Sequence, residues 1–196
     1  MRSSIAVLAS GRGSNLKALI DCFSRLGDAA SGEIVVVLSN KADAPALDVA
    51  RTAGIPAKAF ALDDDGRALG KQLEDARADL IVLAGYIKKI PATVVARYAG
   101  RIINIHPGLL PKHGGPGMYG SRVHEAVIAA GDRESGVTVH LVDDEYDRGP
   151  IIAQWRIPVH DSDTAESLAA RVLRVEHAMY PRVVDLVASL AQLGHE

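Results

Sequence analysis

The sequence is short of cysteine, of positive charge and of long apolar runs. Its one cysteine, Cys22, rules out an intramolecular disulfide. Placed on a helical pattern, Cys22 reads as a small buried hydrophobe rather than a nucleophile. Lys and Arg total 22 against 24 Asp and Glu, a formal net charge of -2. The basic footprint that phosphate-backbone binding demands is missing, which excludes nucleic acid as a partner. No apolar stretch approaches the roughly 20 residues that a membrane span requires. No secretory signal precedes the first apolar run, which follows directly on Met1-Arg2-Ser3-Ser4. A cytoplasmic location away from membranes is therefore expected by default. His-rich or Cys-rich ligand spacing is lacking too, which argues against a metal centre. There is no internal repeat, low-complexity tract or inter-domain linker. With 48% hydrophobic and 23% charged residues, disorder is excluded. A chain of 196 residues suffices for one large domain with a sizeable core.

What is present is an alternation of short apolar runs and longer amphipathic stretches. Ile5–Ala9, Ile34–Leu38, Leu80–Ala84 and Ile102–Ile105 are near-continuously apolar, as strands buried on both faces of a parallel sheet must be. Lys58–Leu62 is a weaker strand candidate. Helical patterns lie at Leu16–Leu26, Pro45–Ala53, Arg67–Ala76 and Pro91–Tyr98. Pro45 and Pro91 suit first turns, and Gly54 and Gly100 suit C-terminal caps. The alternation predicts a doubly wound, mostly parallel α/β sheet with right-handed crossovers. The second half differs. Pro107–Gly120 holds five Gly and three Pro in 14 residues and reads as a long functional loop. A helix at Arg122–Ala130 follows, then strands Val137–Val142 and Ile151–Ile157, close enough to form an antiparallel pair. A closing helical region runs from Thr164 to Leu193, expected to break at Pro181. Ser162 or Asp163 would cap it, with Glu166 completing a capping box.

Three segments have the makings of a site. Ser10-Gly11-Arg12-Gly13-Ser14-Asn15 stands between the first strand and the first helix. Glycines let the backbone approach a ligand, and a helix N-terminus offers free N–H groups to an anion. A phosphate cradle and a plain tight turn capped by Ser14 or Asn15 both fit. A dinucleotide fits less well, because Leu16 takes the place of a third glycine. The second strand also ends Ser39-Asn40-Lys41, without the acid that would hold an adenosine ribose. Asn104-Ile105-His106-Pro107 is the second segment. Residues two apart on a strand share a side, so Asn104 and His106 project together and Ile103 and Ile105 oppositely. Two polar side chains at the carboxyl end of an apolar strand are costly unless used, and that end is where open α/β sheets bind ligands. An amide beside an imidazole suits charge developing on a carbonyl oxygen. The third segment is acidic, Asp143–Asp147. There a carboxylate has the chemistry to orient a histidine and stabilise its charged form. Of the scattered histidines, His124 and His140 read as pocket linings.

With these residues in hand, the chain resembles the folate-dependent formyltransferase family across nearly its whole length. The matching elements are Ser10–Leu16; Ser39-Asn40-Lys41-Ala42; Leu83-Ala84-Gly85-Tyr86; Asn104-Ile105-His106-Pro107 with Leu109-Leu110-Pro111; Gly136–His140; Asp147-Arg148-Gly149-Pro150-Ile151; and Glu176-His177. The Gly-Arg-Gly-Ser-Asn start and Glu176-His177 narrow the likeness to the branch that acts on a ribonucleotide. The resemblance implies one domain, with residues 1–100 as its nucleotide-phosphate half and 101–196 as its catalytic and folate half. It implies formyl transfer from 10-formyltetrahydrofolate to the amine of glycinamide ribonucleotide, without metal or ATP, by a monomer or homodimer. Asn104, His106 and Asp147 would be the catalytic trio. Gly13, Ser14 and Asn15 would bind the phosphate and Glu176 the ribose. Arg67, Ile87, Lys88, Lys89, Ile90, Asp143, Asp144, Glu145 and Tyr146 would line the folate site, Asp143 to Asp147 through their backbone.

Two departures stand out. Gly108 occupies a place where many relatives have serine, and the loop from Lys112 to His124 is several residues longer than the common form. Three rival readings were weighed. A formyltetrahydrofolate deformylase would use the same trio on water, but its relatives carry an extra N-terminal domain and the first strand here begins at residue 5. Methionyl-tRNA formyltransferase would need a basic surface and a C-terminal extension. A non-catalytic nucleotide-binding module would leave Asn104 and His106 unexplained.

Overall fold

The computed structural model describes residues 2–193. Along the chain run β1 (Ser3–Leu8), α1 (Ser14–Leu26), β2 (Gly32–Ser39), α2 (Pro45–Thr52), β3 (Ala57–Ala59), α3 (Arg67–Asp75) and β4 (Leu80–Leu83). There follow α4 (Ala92–Arg97), β5 (Ile102–His106), α5 (Ser121–Ala129), β6 (Glu134–Leu141), β7 (Ile151–Pro158) and α6 (Ala165–Leu193). The strands form one sheet in the order β3-β2-β1-β4-β5-β6-β7. The first five in sequence are parallel, β6 runs antiparallel to β5, and β7 antiparallel to β6. The predicted α/β class and the C-terminal antiparallel pair are both present.

The near-continuous apolar runs are explained by two cores. Ile5, Val7 and Ala9 face one side, with Leu16 and Leu19 of α1, Leu47 of α2, Val127 of α5 and Leu168, Val172 and Tyr180 of α6. Ala6 and Leu8 face the other, with Leu69 and Leu73 of α3 and Val94 and Val95 of α4. Alternate residues of one strand serve opposite layers, so both must be apolar. The strand starts two residues earlier than its hydropathy suggests, because the Ser3 hydroxyl is satisfied by donating to the Ala188 carbonyl (2.8 Å). The strand expected at Lys58–Leu62 shrinks to three residues at the sheet edge.

Two expectations for the closing helix need correction. α6 passes unbroken through Pro181. A proline inside a helix costs about 3 kcal/mol, whereas each fully buried Leu or Val side chain contributes about 1.5–3 kcal/mol. Leu168, Val172, Tyr180, Val184 and Ala188 are all fully buried along this helix, so packing outweighs the proline. The cap is also displaced by one or two residues. Thr164 Oγ1 accepts from Ser167 N (3.2 Å) and Ser167 Oγ accepts from Thr164 N (3.0 Å), so Ser167 closes the reciprocal box, while Glu166 Oε2 accepts from the Thr164 hydroxyl (3.0 Å). Asp163 accepts instead from His160 N (2.8 Å) and Ser167 Oγ (2.7 Å). Among the described residues, no helix is long and apolar enough to cross a membrane.

Candidate active site

Strand order reverses at β1 and β4, and a cavity of about 930 Å³ opens there, at the carboxyl ends of the parallel strands. In sheets of this kind the crevice at the reversal is the natural place for a ligand. The β1–α1 turn contributes Arg12, Ser14 and Asn15 to its wall; the segment after β4 contributes Tyr86 to Ile90; β5 contributes Asn104 and His106. The β6–β7 link adds Asp143, Glu145, Tyr146 and Asp147, and α6 adds Glu176. Three expected residues are placed elsewhere. Gly13 lies beneath the turn rather than on the wall. Asp144 borders a neighbouring hollow of about 470 Å³. Arg67 opens α3 with an exposed side chain whose Nε pairs with Asp65 Oδ2 at 2.6 Å. The geometry does not bring Arg67 to the cavity. Its flanking segment carries little of the family pattern, so position in sequence was a poor guide to position in space.

The β1–α1 turn is shaped by its backbone. Gly13 takes a left-handed conformation (φ 78), and a Cβ there would stand 2.9 Å from Cα of Ala46. Only glycine fits both demands. No side chain caps α1, so the ordinary-cap reading of Ser14 or Asn15 does not hold. The first turn of α1 leaves N–H groups without an intrahelical partner, and its residues Ser14 and Asn15 line the cavity. Asn15 Nδ2 donates to Glu176 Oε2 (2.6 Å), while Asn15 Oδ1 is buried without a partner among the described residues. Burial pushes the Glu176 carboxyl up, and the Asn15 hydrogen bond only partly offsets this.

The opposite wall is built by antiparallel pairing. Asn104 stands across from His140 and His106 across from Thr138 in the β5–β6 register. Asn104 Nδ2 donates to His140 Nε2 (3.1 Å), and His140 Nδ1 donates to the Leu141 carbonyl (2.8 Å). In the neutral ring this pairing leaves the second Asn104 N–H unused; in the charged ring the protonated Nε2 faces Asp147 Oδ1, 3.5 Å away. His106 is 2% exposed. Its Nε2 donates to the His113 carbonyl (3.0 Å), and its Nδ1 faces Asp147 Oδ2 at 3.6 Å. Burial draws the His106 ring below the ordinary histidine value, against the opposing pull of the Asp147 carboxylate and the His113 carbonyl. Burial alone would raise the Asp147 carboxyl. The His140 side chain, the Gly115 N–H (2.9 Å) and the nearby ring charges outweigh it and hold the group below the usual range.

His124 and His140 both line the cavity. Burial, helped by the nearby His106, lowers His124 as well. Other residues that shape the site carry no signal in the sequence. Thr138 Oγ1 accepts from Leu110 N (3.1 Å) and donates to the Gly108 carbonyl (2.7 Å). Gln154 Nε2 donates to the Leu110 carbonyl (2.9 Å). These contacts bolt the first half of the long loop to β6 and β7. A Cβ at Gly108 would stand 3.1 Å from His106 Nε2, so the glycine gives the ring its room. Among the described residues, no group of three or more His, Cys, Asp and Glu is arranged to hold a metal ion.

The arrangement offers an anion cradle, a buried carboxyl and a hydrogen-bonding amide–imidazole–carboxylate group around one space. Comparison with known proteins points the same way. The model of the formyl transferase family matches residues 3–184. Phosphoribosylglycinamide formyltransferase of Escherichia coli (strain K12) is 41% identical over 198 residues, covering 98% of this chain and 90% of that protein. The chloroplastic protein of the same name from Vigna unguiculata is 43% identical over 190 residues, 94% of this chain. The chain spans only 60% of that plant relative and 65% of its Arabidopsis thaliana counterpart. The crystal structure of phosphoribosylglycinamide formyltransferase from Anaplasma phagocytophilum superposes with a TM-score of 0.86 at 40% identity, over 96% of this chain and 88% of that one. Taken with the cavity at the strand-order reversal, these matches establish that the chain belongs to the formyl transferase family.

Proposed function

We propose that this protein moves the formyl group of 10-formyltetrahydrofolate to the amine of glycinamide ribonucleotide, a step in purine synthesis. The observation that carries this reading is the meeting of the β1–α1 phosphate cradle with Asn104, His106 and Asp147 on the walls of one cavity. In this reading the first 100 residues supply the nucleotide-phosphate side of a single domain, and residues 101–196 supply catalysis and most of the folate side. The ribonucleotide phosphate lies on the first turn of α1, at Gly13, Ser14 and Asn15, and the ribose on Glu176. The folate lies against Ile87, Lys88, Lys89 and Ile90 and the backbone of the β6–β7 link.

The chemistry follows from the geometry. The substrate amine attacks the formyl carbon, and the carbonyl electrons move to oxygen. The second Asn104 N–H is available to that oxygen, since the first is committed to His140. On His106, Nε2 is occupied by the His113 carbonyl, so Nδ1 is the atom that holds and moves a proton. Asp147, ionised throughout the neutral range, stabilises the imidazolium. The attacking amine loses a proton, N10 of the folate gains one, and the carbon–N10 bond breaks to release tetrahydrofolate.

The test follows tetrahydrofolate release from 10-formyltetrahydrofolate with and without glycinamide ribonucleotide. Release that requires the ribonucleotide is expected. Release without it makes the protein a deformylase, and no release under either condition removes the enzymatic reading.

A further inference from the structure

His113 is the one residue of the long loop, glycines aside, with a left-handed backbone (φ 53), a conformation that side chains with a Cβ adopt at a cost. Its ring is anchored. His113 Nε2 donates to Asp132 Oδ2 at 2.7 Å, and the same carboxylate pairs with Lys112 Nζ. Asp132 lies in the turn after α5, where its own backbone N–H donates to the Val127 carbonyl (3.2 Å). With the side chain held there, the His113 carbonyl is aimed at His106, 3.0 Å from Nε2. Lys112 N donates to the Leu109 carbonyl (3.0 Å), which fixes the approach to this turn.

We propose that Asp132 and His113 are positioning residues for His106: their pair holds the His113 carbonyl as a fixed acceptor of the His106 Nε2–H, so that the mobile proton is always the one on Nδ1. The proposal rests on reading His106 as the proton-handling group of the site. A neutral imidazole has one N–H, and a carbonyl can only accept. The tautomer protonated at Nε2 therefore satisfies the pair, and the second proton adds at Nδ1, beside Asp147. If the anchor is released, residue 113 relaxes out of the left-handed region and its carbonyl swings away. A nearly buried ring N–H is then left without a partner.

The groups around His106 fix the direction of the effect. Burial and the neighbouring His140 of β6 and His113 of the loop disfavour the charged ring, while Asp147 and the His113 carbonyl favour it; His124 of α5 also lies near, and its own value is lowered by burial and by His106. Removing the carbonyl takes away one of two supports for the imidazolium. The folded value then falls further below the ordinary one, and protonated His106 persists only to lower pH.

The variant that tests this is Asp132→Ala in the full chain, read in two ways. Nitrogen NMR of the His106 ring, assigned by its loss in His106→Asn, is expected to show one Nε2–H tautomer in the parent and a mixture in the variant, titrating at lower pH. The high-pH limb of kcat is expected to move down by about one pH unit, a loss of about tenfold above the limb, with KM for both substrates unchanged. Asp132→Glu should restore both. Asp132→Asn, which keeps the shape and loses the charge, gives the same shift in smaller size and serves if the alanine variant does not fold. Unmoved ring signals overturn the proposal, and so does a rate loss with raised KM and an unmoved limb. If the parent shows no formyl transfer at all, the functional reading fails, and the ring signals alone decide this one.

Discussion

Two turns of very different length leave the same end of the sheet. The segment Ala9–Gly13 after β1 is five residues long, and its bend depends on one residue. A left-handed glycine pressed against α2 bends it without a side-chain cap, and Ser10 ties its start to the Gly85 carbonyl and to Asn40 Oδ1. The loop Pro107–Gly120 after β5 is held from outside at separate points. Thr138 and Gln154 grip residues 108 and 110, Asp132 grips Lys112 and His113, and Asp147 grips Gly115. The short turn presents backbone to the cavity and suits a bound anion. The long loop, through the His113 carbonyl, holds Nε2 of His106. The division is thus between a short turn that hinges on one glycine and a long loop pinned along its length by β6, β7 and the turn after α5.

That division is open to breakage. The largest effect is expected from His106→Ala at the root of the long loop, a loss of roughly 10²–10⁴ in kcat with little change in KM for the ribonucleotide. Steady-state kinetics showing an unchanged kcat would take His106 out of the chemistry. Asn104→Ala should cost on the order of 3 kcal/mol in the barrier, again in kcat, from loss of one oxyanion donor. At the short turn the pattern should invert. Gly13→Ala brings a left-handed Cβ into overlap with Ala46 and should cost about 1–3 kcal/mol of stability, with a raised KM for the ribonucleotide and a milder effect on kcat. Urea unfolding and kinetics on one preparation would show whether the two sites really separate KM from kcat. Thr138→Val, which leaves the Leu110 N–H unpaired, should destabilise by about 1–3 kcal/mol. It should also lower kcat if the loop is bolted as described. An unaltered urea midpoint would mean that the loop holds its shape without β6.

The smallest effect is a sign. The Glu176 carboxyl is raised in the folded protein, so its contribution to stability is full below the ordinary glutamate value and lost as pH rises through the folded one. Glu176→Gln should flatten the decline that sets in above the ordinary glutamate value, measured as urea unfolding free energy. A variant with the same pH slope as the parent would show that Glu176 is not the group responsible.

The same division explains what the sequence made legible. The strands were readable because burial on two faces demands apolar residues at every position, and Gly11-Arg12-Gly13 was readable because a local turn writes itself in local residues. Asn104 and His106 stand out as polar groups where apolar ones are due, whereas Asp147 is picked out of its acidic segment only by the family resemblance. Thr138, Gln154, His113 and Asp132 do not stand out, since each acts on a partner 16 or more residues away or through a main-chain carbonyl. Pro181 misled for a related reason. Its helix-breaking tendency is local, whereas the packing that overrides it spans α1, β1 and α5.

The way α6 is seated bears on how the chain is made. Ile5 and Val7 share their core with Leu168, Tyr180 and Val184, and Ser3 is tied to Ala188 across 185 positions. The layer over the first strand is therefore supplied by a helix synthesised after all seven strands. As the chain leaves the ribosome, the five parallel strands exist with one face lacking its largest cover until residues 165–193 emerge. Synthesis proceeds at about 5–20 residues per second, so this exposure lasts for seconds. During that interval the apolar residues that α6 later covers remain open to solvent.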